Sequence, residues 1–149
     1  MVEELFGTSG ITSKSGGTVT PQDAFGKAKI IGIYFSMHTC PPCRQFTPIF
    51  AELYKEMQEA GNTDLAVIFC SGDKTEDLYN EYYEEQPWHA LPFKDPRLAT
   101  LAKKFEVRGV PRLIIVNRAT GEVIDQNAVN KVTMEGPAAI EEFIGKASK

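Results

Sequence analysis

The segment KIIGIYFS, Lys29–Ser36, is almost wholly aliphatic or aromatic. An unbroken apolar run of that length reads as a strand covered on both faces, which requires structure above and below it. At its carboxyl end it hands the chain to MHTCPPC, and beyond the second cysteine Phe46, Ile49, Phe50, Leu53 and Met57 recur at helical spacing until Gly61. Cys40 therefore stands at the start of an amphipathic helix of roughly 17 residues, which Pro48 is expected to kink. A second covered strand is expected over Asp64–Asp73, then a helix whose first turn carries Glu76 and Asp77, favourable at the positive end of the helix dipole. The result is a βαβ unit.

Farther along, PRLATLAKKF reads as a short helix, and Arg112–Val116 and Glu122–Gln126 as strands around the turn Asn117–Gly121. Pro137 opens a last helix with Ile140, Phe143, Ile144 and Ala147 on one face. The expected class is α/β, a central mixed sheet flanked by helices. At 149 residues and 42% hydrophobic, the chain suits a single domain over 1–149 that buries a core without cross-links. Residues 29–147 form the expected core. Residues 1–28, rich in Gly, Ser and Thr, read as a loosely held segment with a short edge strand around Glu4–Phe6 and a small helix after Pro21. A net charge of −4 gives no footprint for nucleic acid, and no apolar run is long enough for a membrane span. Glu3 and Glu4 do not suit a signal peptide, so a cytoplasmic, reducing compartment is expected.

Two of the three cysteines are Cys40 and Cys43. The thiolate is the reactive form, and a helix N-terminus stabilises it through unpaired N–H groups and the macrodipole, so Cys40 is the candidate nucleophile. Pro41 and Pro42 have no N–H to offer, which leaves those of Cys43 and Arg44 as the nearest donors, and Pro41 fits the first helical position. Cys43, one turn on and facing inward, suits a resolving thiol that displaces a mixed disulfide formed at Cys40. A CxxC pair is also half a zinc site, but only His38, Cys70 and His89 remain as ligands and no second pair occurs, so no metal is expected. Cys70 ends an apolar run and reads as a small hydrophobe. His38 is either a loop residue or an imidazolium favouring the Cys40 thiolate. Arg44 either tunes that thiolate or marks a solvated helix face.

GVPRLIIV, residues 109–116, puts Pro111 directly before a covered strand, where a proline is tolerated as it is not inside the ladder. A strand leading to CxxC at a helix start, Pro48 five residues after the second cysteine, and Val110-Pro111 before a strand together resemble the thioredoxin superfamily over roughly residues 25–147. That resemblance implies a thioredoxin-like fold with a cis Val110–Pro111 bond beside the cysteines, where the Val110 backbone can pair with an incoming peptide. The 67 residues between Cys43 and Pro111 leave room for an extra strand–helix insertion. YFSMHTCPPCRQFTPIFAELY, VIFCSGDKTEDLYNEYY and QPWHALPF are similar to the tryparedoxin and nucleoredoxin branch. In that branch the last segment packs near the active-site rim, so Trp88 is either core or cleft lining. Tyr34 stands where plain thioredoxins place a buried aspartate, and no carboxylate base is assigned. Two residues depart from the branch: Thr39 where it has tryptophan, and Arg112 where threonine commonly follows the cis-proline. Both positions face the partner in the family, so Arg112 is expected to set a fixed cation on the docking surface.

The resemblance implies a thiol-disulfide oxidoreductase with no cofactor beyond a redox-active Cys40–Cys43 disulfide. It would take electrons from a small dithiol such as trypanothione, or from a reductase, and pass them to disulfide-containing proteins such as peroxiredoxins. It would act as a monomer with no nucleic-acid or membrane partner. No GxGxxG run occurs, so electrons are expected to arrive through a thiol. The alternative is a nucleoredoxin-like binding module that senses redox state with little turnover.

Overall fold

The computed structural model describes residues 2–148, so Met1 and Lys149, the outer limits of the expected domain, lie outside the described residues. Three strands form the centre of one sheet. In it β3 (Ile30–Ser36) pairs in parallel with β4 (Leu65–Ser71) and antiparallel with β6 (Arg112–Asn117). All of β3 is buried, as its unbroken apolar run requires. On one side β7 (Val123–Asp125) runs antiparallel to β6. On the other, β5 (His89–Ala90) is parallel to β4, and β1 (Ile11–Thr12) and β2 (Thr18–Val19) continue the sheet antiparallel. The strand order is β2-β1-β5-β4-β3-β6-β7.

Strand alternation divides the core in two. Ile30, Tyr34, Leu113 and Ile115 face α3 (Pro41–Glu59), α4 (Glu76–Glu84), α6 (Val129–Glu135) and α7 (Pro137–Ala147), which contribute Phe46, Phe50, Tyr82, Val132 and Phe143. Ile31, Ile33, Ile114 and Val116 face α1 (Glu3–Phe6), α2 (Pro21–Phe25) and α5 (Arg97–Lys104), which contribute Phe6, Phe25 and Leu101. The expected insertion is present as β5 and α5. Helix α3 starts directly after Cys40 and ends just before Gly61, whose φ of +77° lies in the left-handed region that suits a helix stop.

The N-terminal segment differs from the sequence expectation. Residues 3–6 form a helical turn rather than an edge strand. Nor is the segment loosely packed: Val2, Phe6, Ile11 and Phe25 are each at most 2% exposed. Its apolar residues are few, but each fills a place in the second core. Arg97 fastens the segment, donating to the carbonyls of Phe6, Ser9 and Gly10 while both Asp95 oxygens hold its guanidinium. The two-residue strands and α6 are absent from the sequence reading because elements that short carry no periodicity.

Candidate active site

Cys40 is the N-cap of α3, its backbone extended at φ −96° and ψ 112°. Since Pro41 and Pro42 lack N–H groups, the first donor in reach is that of Cys43, and it points at Cys40 Sγ over 3.3 Å. The same sulfur lies 3.7 Å from the carbonyl oxygen of Val110, and the Val110–Pro111 bond is cis. Cys40 is half-buried, while Cys43, one turn on, is fully buried. Burial, and then the hydrogen bond with Cys40, push the Cys43 thiol up to about 11, against the opposing pull of the Ser36 hydroxyl and the Met37 backbone. Both residues are free thiols in this structure. The arrangement places one sulfur where a partner can meet it and keeps a protonated one behind.

The loop that carries Cys40 is braced from β4. Asp73, 6% exposed, accepts the His38 N–H over 2.7 Å at one oxygen and the Ser71 hydroxyl over 2.7 Å at the other. Beneath the cysteines the Tyr34, Ser36, Thr47 and Tyr82 hydroxyls bond to one another among aromatic rings. Sequence reasoning gave no role to Asp73, Ser36, Thr47 or Tyr82. Tyr82 shares a helical face with Tyr79, which reads as plain core, and only the position of Ser36 at the end of β3 hints at the site.

The other candidates separate clearly. Thr39 is exposed beside Cys40, as a rim residue should be. Arg44 binds Glu85 over 2.8 Å and stacks 5.7 Å from the Tyr82 ring, which gives it the role of a helix-face residue. His38 lies 5.6 Å from the Tyr82 ring and 3.9 Å from Glu81, with its backbone rather than its imidazole anchoring the loop. Trp88 is 1% exposed and does not line the cleft: its ring packs 4.9 Å from Phe50 and 5.9 Å from Tyr34, and Gln86 inside the core accepts its N–H over 2.8 Å. Arg112 is likewise not a free cation on a docking surface. Its Nε donates to the Gln126 carbonyl over 2.8 Å and its Nη atoms reach the carbonyls of Glu106 and Phe105, so it closes the C-terminus of α5. Alternation from Ile114 and Val116 turns it to that face of the sheet. Cys70 is 1% exposed, and burial raises its thiol pKa. Among the described residues no three His, Cys, Asp or Glu side chains converge as metal ligands, and no helix is long and apolar enough to cross a membrane.

A family described as thioredoxin-like matches residues 26–123. The chain is 43% identical over 129 residues to probable nucleoredoxin 1 of Arabidopsis thaliana, covering 87% of the chain and 22% of that protein. It is 39% identical over 134 residues to tryparedoxin of Trypanosoma brucei brucei, covering 89% of each. It thus spans about a fifth of the nucleoredoxin and most of the tryparedoxin. A solved structure of tryparedoxin II complexed with glutathionylspermidine superposes with a TM-score of 0.79 at 26% identity, over 93% of this chain and 94% of that one.

Proposed function

The chain belongs to the thioredoxin-like family, and from that premise we propose that it passes electrons from a small dithiol to protein disulfides through Cys40 and Cys43. One observation carries this reading: a half-exposed sulfur at a helix N-terminus faces the Cys43 N–H, with a fully buried thiol three residues behind it. In the forward direction the Cys40 thiolate attacks an acceptor disulfide, forming a mixed disulfide and expelling one acceptor thiolate. Cys43 then gives up its proton and attacks Cys40 Sγ, which releases the second acceptor sulfur reduced and leaves Cys40 and Cys43 joined. A dithiol donor reverses the sequence. The Val110 backbone, beside Cys40, offers the acceptor peptide a short strand to pair with.

Similarity to a tryparedoxin along most of its length, and a structural neighbour holding glutathionylspermidine, support a donor of the trypanothione type; the acceptors in this reading are protein disulfides such as those of peroxiredoxins. The protein acts as a cytoplasmic monomer in this reading. Its greater identity to a nucleoredoxin, a far longer protein, favours a second reading as a redox-sensing binding module. Steady-state turnover with a dithiol donor and a disulfide acceptor separates the two. Robust turnover, lost in Cys40→Ser and replaced in Cys43→Ser by an accumulating mixed disulfide, is expected. A parent that binds the acceptor without turning it over supports the module, and a Cys43→Ser variant with normal turnover shows a monothiol mechanism instead.

A further inference from the structure

Four hydroxyls, those of Tyr34, Ser36, Thr47 and Tyr82, are buried together in an otherwise aromatic core, none of their residues more than 3% exposed. Tyr34 Oη lies 2.6 Å from Thr47 Oγ1, and Tyr82 Oη lies 2.5 Å from both Thr47 Oγ1 and Ser36 Oγ. The rings of Phe46, Phe50, Phe69 and Trp88 surround Tyr34. Burying a hydroxyl carries a penalty that its hydrogen bonds only offset, whereas phenylalanine or alanine would fill the same places without it. Packing alone does not call for four of them.

The cluster has two outlets. At one end the cluster reaches Cys43: Thr47, bonded to Tyr34 and Tyr82, lies one turn on from Cys43 on the buried face of α3, and the Ser36 hydroxyl acts on the Cys43 thiol along with Cys40 and the Met37 backbone, none of them a carboxylate. At the other end Thr47 and Tyr82 line an open groove of about 260 Å³, together with Arg44 and Glu85. A hydroxyl can donate and accept at once, so a linked set can move a proton without any member becoming charged.

We propose that this cluster is the proton path for the Cys43 step, with Ser36 as the catalytic hydroxyl at the sulfur and Tyr82 as the link to the groove. The proposal rests on the Cys40–Cys43 exchange reading. During resolution the Cys43 S–H bond breaks and its proton passes to Ser36 Oγ. Ser36 gives its own proton to Tyr82 Oη, and Tyr82 releases one to water in the groove. Meanwhile the Cys43 sulfur bonds to Cys40 Sγ, the bond between Cys40 and the partner sulfur breaks, and the electron pair leaves on that partner sulfur. Cys43 is oxidised and the partner sulfur reduced. Reduction of the pair runs the same path backwards.

The test uses the reduced full chain with one equivalent of dithiobis-nitrobenzoate, whose first coloured thiolate reports attack by Cys40 and whose second reports displacement by Cys43. Ser36→Ala and Tyr82→Phe are expected to slow the second release about a hundredfold relative to the first, the low end of what a positioned proton acceptor contributes. The parent's second release is expected to slow in deuterium oxide and the variants' to lose that sensitivity, a change that looser packing would not produce. Ser36→Thr, which keeps the hydroxyl, should recover the rate. A second release as fast as the parent's in Ser36→Ala and Tyr82→Phe overturns the proposal while leaving the exchange reading intact. Equal slowing of both releases, or failure of Ser36→Thr to rescue, makes the cluster a scaffold and also overturns it. Should Ser36→Ala not fold, Tyr82→Phe, which keeps its ring, decides alone. A parent that gives one release and no second removes the exchange reading itself.

Discussion

At the scale of single residues, the two cysteines differ by burial and hydrogen bonding rather than by sequence context. With its thiol pushed up to about 11, Cys43 holds only about one part in ten thousand as thiolate near pH 7. Iodoacetamide at neutral pH, followed by mass mapping, should therefore label Cys40 well before Cys43, with Cys43 labelling rising steeply toward pH 11. Equal labelling at pH 7 would contradict the assignment. Cys70, enclosed on all sides, should stay unlabelled until the protein unfolds. Arg112 makes a different prediction from the one its charge alone suggests. Arg112→Thr removes donors from three backbone carbonyls and should lower stability by about 1 kcal/mol, the net scale of such bonds at a half-exposed site. Denaturant midpoints would show it, and turnover should change little and indifferently to ionic strength. A variant that gains rate with a cationic thiol at low salt alone would return Arg112 to the docking surface.

At the scale of elements, one ion pair reinforces the contact that α5 and the N-terminal segment make through the second core. Hydrogen bonds from the Arg97 side chain hold the Asp95 carboxyl below its usual pKa, and the same guanidinium ties down the carbonyls of Phe6, Ser9 and Gly10. Because the folded value is depressed, this contribution is present above the unfolded carboxyl pKa of about 4 and is lost as pH falls through the folded value. Arg97→Met should be less stable than the parent at pH 7, with the gap narrowing below about pH 4. Amide hydrogen exchange should localise the added opening to residues 6–12. A gap that stays constant from neutral to strongly acidic pH would show that the pair contributes nothing. This clamp is invisible in the sequence, where Asp95 and Arg97 flank a proline in an ordinary surface-like run. By contrast β3, α3 and β4 are legible because long elements repeat their pattern several times, and β1, β2 and β5 are not, since two residues show no repeat.

At the scale of the whole molecule, the mixed sheet, the strand-to-helix delivery of Cys40 and the cis Val110–Pro111 bond were all readable from spacing and resemblance. The destinations of Trp88 and Arg112 were harder to read. An indole in a rim-like segment fits either side of a wall, and its burial depended on Gln86 arriving to accept its N–H. Arg112 did carry a signal, the alternation with Ile114 and Val116, which outweighs its family position after the cis-proline. The hydroxyl cluster could not be foreseen because its members come from β3, α3 and α4, and only folding brings them together. The two borders of the sheet lead to a further expectation. One ends in the two-residue β2 and the other in the three-residue β7, whose register breaks at Ile115/Val116. Borders so short and uneven leave few free N–H and C=O groups for a neighbouring chain to zip onto. Copies crowded together should therefore remain separate particles, and concentrated solutions should sediment as one small species and stay free of thioflavin-binding fibrils.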